Sequence, residues 1–314
     1  MSATAFAETN QNVIEQLGYE GEMADLRATI EDWLETTDGE MREMMDWQFL
    51  GPSKYFRPMT VFSCYRAQNA GDIPHQIMES ALVIEMFHNV SLIVDDIVDK
   101  SPERRGKKTL HYQFGELNAL MASGYITAEG YERVSEDPYN VVLFSELMKR
   151  LGVAEVAQWR QRRMPLGVED WRRIAGEDTG SMFEVAACLG TRDNSLRAFG
   201  GLLGLLYHGC DDVGDVKGLE ALGGGGDEDV RDGILTLPAA LAIRDREIRD
   251  LFCKQDPTDA DLDTLGNAFM AMLPEAENYL DQIADEAISE AKTFGREPAP
   301  LITIVEHTRQ LSGR

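Results

Sequence analysis

Apolar residues recur along this chain at intervals of three and four, in segments of roughly ten to twenty residues separated by short Gly, Pro and Asp breaks. The pattern predicts helices over Met23–Glu43, Pro58–Asn69, His75–Val98, Glu116–Val134, Tyr139–Leu151, Val168–Leu189, Ser195–Asp212, Thr236–Arg244, Thr258–Met272, Pro274–Phe294 and Pro300–Gln310. Strand signals are scarce, with no alternating runs joined by Asn-Gly or Asp-Gly turns. Neither a Pro/Gly/Ser-rich linker nor a repeat of about 20–50 residues divides the chain. The expectation is one all-α domain over residues 1–314, a large helical bundle with its site between helices. About the first 20 residues are expected to be disordered.

The helix predicted over His75–Val98 is apolar and free of Pro and Gly, yet it runs into Asp95-Asp-Ile-Val-Asp99. In a helix Asp95 and Asp99 lie one turn apart on one face. Like charges at that spacing repel, so the arrangement points to a bound cation. Oxygen-only donors select hard ions, and Mg²⁺ takes one or two carboxylates together with phosphate oxygens. A second cluster, Asp211-Asp-Val-Gly-Asp215, repeats the spacing. On the first helix His88, Ser91 and Asp95 share a stripe above Ile84, Phe87 and Val90; on the second, Asp215, Asp211, His208, Gly204 and Gly201 do. The small residues beneath the carboxylates either leave room for a ligand or let helices pack closely, and the Asp clusters favour the first reading. If the two helices face each other, a polar mouth over an apolar floor suits a ligand with an ionic head and a hydrocarbon tail.

Composition narrows the partners. Hydrophobic residues make up 43 %, enough for a globular core. The net charge of −25 disfavours nucleic acid and anionic membrane surfaces. A small anionic ligand would have to be recruited through metal ions and a few placed Arg or Lys. Most carboxylates read as solvated surface. Cys64, Cys188, Cys210 and Cys253 are widely spaced and read as reduced thiols of a cytoplasmic protein. No signal peptide is expected at the N-terminus, and no apolar run reaches the ~18 residues of a membrane span.

Taken in order, these motifs resemble those of the trans-isoprenyl diphosphate synthases, or polyprenyl synthetases. Asp95–Asp99 with Arg104-Arg105-Gly106 and Thr109 is similar to the family's first Asp-rich motif, and Asp211–Asp215 to the second. Gly51-Pro-Ser-Lys-Tyr-Phe-Arg-Pro58, Glu85-Met-Phe-His88 and Thr236-Leu-Pro238 resemble further family segments, so the likeness spans roughly residues 45–240. The resemblance implies an isoprenoid-synthase-type helical bundle and a homodimer. It implies three Mg²⁺ held chiefly by Asp95, Asp99 and Asp211, with Asp215 as a further ligand, Asp96 in support and Asp212 completing the second catalytic cluster. Arg104 would contact the allylic diphosphate, whose departing pyrophosphate needs its charge taken up. Lys54, Arg57, His88 and Arg105 would hold the diphosphate of isopentenyl diphosphate. Thr179 and His208 would also bind substrate.

Several positions depart from the family. Asp178 stands where relatives carry the Lys of Lys-Thr; Gly223–Gly226 and Gly233-Ile-Leu-Thr236 lack two further lysines. Tyr207-His208 replaces Phe-Gln, and Ser123-Gly124 replaces Gly-Asp. Each lost charge–phosphate hydrogen bond is worth ~1.5–3 kcal/mol, and Arg172, Arg173 and Arg231 are candidate replacements. The losses fall where the chemistry starts. The preferred expectation is therefore a terpene synthase that ionises one prenyl diphosphate (about C20, the length the resemblance implies for a pocket open at Val90 and Ser91 and capped by Phe87) and needs no second substrate. Phe87, Phe183, Tyr207 and Trp171 would offer aromatic faces to the cation. The alternative is a chain-elongating, geranylgeranyl-type prenyltransferase, supported by the retained Lys54, Arg57, His88 and Arg105. A non-catalytic partner subunit comes third, since both Asp clusters are complete.

Overall fold

The structure, a computed structural model, describes residues 13–51, 53–219 and 226–313, without the side chains of 226–228. The N-terminal stretch expected to be disordered falls in part, and Gly223–Gly225 wholly, outside the described residues. The described chain is almost entirely helical: α1 (Glu20–Thr36), α2 (Gly39–Phe49), α3 (Phe56–Gln68), α4 (His75–Val98), a minimal hairpin of β1 (Glu103–Arg104) and β2 (Lys107–Lys108), α5 (Leu110–Phe114), α6 (Glu116–Arg133), α7 (Pro138–Gln161), α8 (Val168–Ala175), a π-helical turn (Gly176–Gly180), α9 (Ser181–Thr191), α10 (Arg197–Val216), α11 (Gly226–Asp232), α12 (Leu237–Ala242), α13 (Arg246–Phe252), α14 (Asp259–Phe294) and α15 (Ala299–Gln310). Two compact units result. The first takes the described residues of Ser2–Glu146 and Val185–Ser195, the second those of Leu147–Glu184 and Leu196–Arg314.

In the first unit α4 is the core. Its apolar residues are buried on every side, from Ile77 to Ile93, because α1, α3 and α6 all pack against it. A helix hydrophobic all round belongs inside a protein or a membrane. α4 is long and apolar enough to cross a membrane, yet 72 % of its most apolar stretch is buried within the protein. In the second unit α10 packs against α14 and the π turn, and α14 also carries α12 and α15.

The helices differ from the pattern-based expectation at particular residues. Met23–Glu43 is two helices, because Thr37 is extended and the Asp38 carboxylate caps the next helix by accepting from the Glu40 N–H at 2.9 Å. Conversely, α14 runs straight through Pro274. A proline there removes one intrahelical hydrogen bond, yet the helix continues, packed against α10 and α12. Val168–Leu189 is interrupted by the π turn. The short helices α5, α11 and α13 escape a reading built on longer windows. The hairpin escapes it too, since its two-residue loop is Arg105-Gly106 with both φ positive, +54° and +74°, as a type I′ turn requires.

The charge imbalance, 55 acidic against 30 basic residues, must be carried mostly on the surface, where net charge destabilises the compact state. Salt screens this repulsion, with a Debye length of about 10 Å at 0.1 M and about 3 Å at 1 M. Raising KCl from about 0.05 M to 1 M should lift the melting temperature by about 5 °C or more, measured by scanning fluorimetry. A flat or falling Tm would contradict the self-repulsion argument.

Candidate active site

In the first unit, the start of α3 and the segment before it, the end of α4 and the hairpin bring a cluster of basic side chains together around His88. Lys54 and Arg57 are not solvated surface groups: they are 7 % and 8 % exposed. His88 lies one helical turn before Ser91 and Leu92 on α4. Burial, with Arg57, Arg105, Arg104 and Lys54 close by, holds its imidazole well below the usual range, so His88 is neutral at pH 7. Its Nδ1 is buried without a hydrogen-bond partner among the described residues. Glu85, one turn earlier, is also buried. Burial raises its carboxyl, while the Ser53 hydroxyl, donating at 2.7 Å, and the Arg57 and Arg105 charges pull it back. The adjoining cleft, about 80 Å³, is lined by Ser53, Glu85, Arg104, Arg105, Lys107 and Lys108 among others. Lys54, Arg57, Arg104 and Arg105 thus lie close to one imidazole, with the Glu85 carboxyl beside Arg57 and Arg105.

The first Asp cluster sits at the C-terminal end of α4, where the helix dipole is already negative. Its members are not equivalent. Asp96 is buried and takes Arg104, with Nε and Nη2 both 2.8 Å from Oδ1. Burial raises the Asp96 carboxyl and Arg104 opposes the shift. Arg104, expected to meet the substrate, is thus first of all the partner of Asp96. Asp95 is half-buried and Asp99 is exposed at the helix C-cap.

The second cluster, near the C-terminal end of α10, repeats this asymmetry. Asp212 is buried, its Oδ2 accepting from the Trp171 indole N–H and the Leu237 backbone N–H, both at 2.7 Å. Leu237 opens α12 after the N-cap Thr236, so Thr-Leu-Pro aims a helix N-terminus at this carboxylate. Burial raises Asp212, against His208, Leu237 and Trp171. Asp211 and Asp215 are half-buried. In each cluster the middle aspartate is engaged within the protein, so the i, i+4 pair is the set that would face a metal. That donor set fits Mg²⁺: oxygen atoms alone, next to a negative helix end. Among the described residues no group of three or more His, Cys, Asp or Glu side chains is placed to hold a metal ion by itself.

Two family departures meet here. Asp178 lies on the π turn, an element frequent at functional sites. The Thr179 hydroxyl donates to its Oδ2 at 3.1 Å and stands 3.0 Å from His208 Nδ1. Burial would lower the His208 imidazole, but Asp212, Asp178, Asp211 and Asp215 together raise it. The lost lysine and the gained histidine are therefore neighbours, and His208 stands 3.7 Å from the Asp178 and Asp212 carboxylates. The proposed arginine replacements do not: Arg172 is held by Tyr279 and Glu286, at 3.2 and 3.0 Å, and Arg173 by Asp170 at 3.4 Å. Arg231 is exposed on α11.

The glycines and aromatics also differ from expectation. A Cβ on Gly204 would lie 2.8 Å from Gly180 Cα and 3.0 Å from the Thr179 carbonyl, and one on Gly201 would lie 3.1 Å from Glu184 Oε1. These residues let α10 pack closely on the π turn and α9; they do not clear space for a ligand tail. Gly204→Ala should cost about 1–3 kcal/mol by overpacking, because backbone atoms cannot rotate away, and urea denaturation measures it. Phe87, Phe183 and Trp171 are fully buried. Phe87 sits edge-on to Phe144 at 4.9 Å and beside Tyr131 at 5.3 Å, and the Trp171 indole is committed to Asp212. They are packing groups rather than open faces for a cation.

Local sequence missed Trp47, Ser53 and Glu85. Only Glu85 carried a signal, as a carboxylate on an otherwise apolar helix one turn from His88.

Comparison with known proteins agrees with this geometry. Residues 38–268 match the polyprenyl synthetase family profile. The chain is 27 % identical over 226 residues to geranylgeranyl pyrophosphate synthase 4 of Arabidopsis thaliana, covering 65 % of this chain and 60 % of that protein. It is 28 % identical to the short chain isoprenyl diphosphate synthase of Methanocaldococcus jannaschii, over 61 % and 62 %, and 27 % identical to Escherichia coli octaprenyl diphosphate synthase, over 71 % and 72 %. It therefore spans somewhat under two thirds of the length of several of these relatives. In fold it is similar to heptaprenyl diphosphate synthase from Staphylococcus aureus, with a TM-score of 0.84 at 18 % identity over 93 % of this chain and 97 % of that one. It is equally similar to a Caulobacter crescentus polyprenyl synthase complexed with calcium and isoprenyl diphosphate, with a TM-score of 0.84 at 21 % identity over 97 % and 98 %. With paired aspartates ending two helices, a basic pocket on the first, and a profile match across most of its length, the chain belongs to the polyprenyl synthetase family.

Proposed function

We propose that this protein is a Mg²⁺-dependent prenyltransferase that condenses an allylic prenyl diphosphate with isopentenyl diphosphate to give a longer, geranylgeranyl-type diphosphate. One observation carries the reading: Lys54 and Arg57 are buried and, with Arg105, surround the neutral His88. A cyclase has no second diphosphate to bind, so it would have no use for this pocket. The relatives named above are all prenyl diphosphate synthases, which weighs the same way. The terpene synthase expectation rested on three absent lysines and on aromatic faces that are buried in packing.

In this mechanism Lys54, Arg57 and Arg105 bind the isopentenyl diphosphate head, and Arg–phosphate pairing orients it. His88 can donate its ring N–H to an oxygen of that head. Asp95, Asp99, Asp211 and Asp215 supply carboxylate oxygens for metal, while Arg104 and the Trp171–Leu237 donors keep Asp96 and Asp212 fixed. Mg²⁺ held by those carboxylates would supply the positive charge that a departing pyrophosphate needs. His208 and Thr179 serve the allylic diphosphate in place of the missing lysines. Leu117, Leu120 and Met121 form a stripe on α6, 70 %, 44 % and 53 % exposed, and would bury it in a homodimer.

The test is direct. The protein is incubated with Mg²⁺ and farnesyl or geranylgeranyl diphosphate, with and without isopentenyl diphosphate, and the products are resolved by chromatography. A longer diphosphate formed only when isopentenyl diphosphate is present is expected. A hydrocarbon or alcohol formed without it would restore the cyclase reading.

A further inference from the structure

The hairpin that carries Arg104 and Arg105 has two residues per strand. A two-stranded ribbon is marginal in water even when longer, so something else must hold it. Three ties are visible. Thr109 Oγ1 closes its base by donating to the Ser101 carbonyl at 2.7 Å. Arg104 is fastened to Asp96. The third tie is Trp47, in the last turn of α2, just before the segment bearing Ser53, Lys54 and Arg57. Its indole N–H donates to the Lys108 carbonyl at 3.0 Å, and its own carbonyl accepts from Lys107 Nζ. The Lys107 ammonium also lies 4.3 Å from the Trp47 ring centroid, a cation–π contact. The far side of the indole meets Phe114 edge-on at 5.8 Å. Asp96 and Ser101 belong to the α4 side; Trp47 joins the hairpin to the last turn of α2.

We propose that Trp47 is a positioning residue: it latches the hairpin to the last turn of α2, the helix that precedes Lys54 and Arg57, and so helps set the spacing between those two cations and Arg105. Lys54 and Arg57 stand on one wall, Arg105 on the other. A diphosphate bridging both requires that spacing to be held before it binds, because ordering a loose loop at the moment of binding weakens affinity. The ligand's name rests on the isopentenyl diphosphate reading; the latch itself concerns any diphosphate anion.

Two variants separate the parts. Trp47→Phe keeps a ring over Lys107 but deletes the N–H; Trp47→Leu deletes both. Three quantities are measured: kcat with KM for each substrate, the Kd for inorganic pyrophosphate in EDTA by calorimetry, and hydrogen exchange over residues 101–110. Loss of one hydrogen bond and its ordering should raise KM for isopentenyl diphosphate and the pyrophosphate Kd about five- to tenfold in Trp47→Phe. The increase should be larger in Trp47→Leu. Exchange in 101–110 should quicken, while kcat and the allylic KM stay within about twofold. Unchanged exchange with an unchanged pyrophosphate Kd would overturn the latch. So would an equal loss in kcat and both KM values with a lowered Tm, which is plain structural damage. A wild-type protein that binds no pyrophosphate without metal also overturns it. If the wild type turns over without isopentenyl diphosphate, the elongation reading fails, and the pyrophosphate Kd still judges the latch.

Discussion

Asp95→Ala should lower prenyl transfer by about a thousandfold, the scale seen when one preorganised electrostatic group is removed from a transition state. Asp95 and Asp99 are the same-face pair that ends α4, and Asp96 between them is engaged by Arg104. No neighbouring carboxylate on that helix can take over the role. The cost falls on the step in which pyrophosphate leaves, so kcat should drop with little change in KM for isopentenyl diphosphate, whose proposed site is Lys54, Arg57 and Arg105. A second readout checks the metal assignment without activity. Ligands that bind only the folded state stabilise it by mass action. Adding Mg²⁺ with pyrophosphate should raise the wild-type Tm by several degrees, and Asp95→Ala should lose most of that rise. Turnover within about tenfold of wild type, or an intact Mg²⁺-dependent rise, would remove Asp95 from the metal set.

Asp212→Ala should act on stability first. The carboxylate accepts two hydrogen bonds, each 2.7 Å long, from Trp171 and from Leu237 at the start of α12. Deleting it leaves two buried donors unsatisfied, at about 1–3 kcal/mol each, so metal-free protein should lose about 2–5 kcal/mol in urea denaturation. Asp212→Asn retains an acceptor and should lose about 1 kcal/mol or less. A pure metal ligand would behave otherwise, since its removal leaves the metal-free protein as stable as before. That result would return Asp212 to the first rank of catalytic groups. Activity should fall in both variants, because Asp212 and α12 together fix the end of α10 that bears Asp211 and Asp215.

The candidate site was legible in outline. Two Asp-x-x-x-Asp spacings on apolar helices, and cations ahead of the first, are local patterns, and local patterns survive in sequence. Lys54 and Arg57 could be named that way, although an exposed pair and a buried pair read alike until their neighbours are known. What stayed hidden depends on distant segments. Trp171 and Leu237 select Asp212 from a run of three acidic residues; Trp47 reaches Lys108; Gly204 faces Gly180. None of these has a signature, because the partner lies far along the chain and the residue types have many other uses.

The motif at Asp95–Asp99 shows where the division falls. By itself the sequence determined that a nearly all-apolar helix must be buried, that the described chain is helical, and that paired carboxylates at helix ends call for a hard cation. Periodicity and charge spacing suffice for this, since helical geometry alone places i and i+4 together. Only the tertiary structure decided which aspartates face inward, that the glycines on α10 serve packing, and that Arg172 is engaged elsewhere while His208 stands beside Asp178. A buried polar atom must find a partner, and which partner it finds is fixed by packing between segments, which no local pattern encodes.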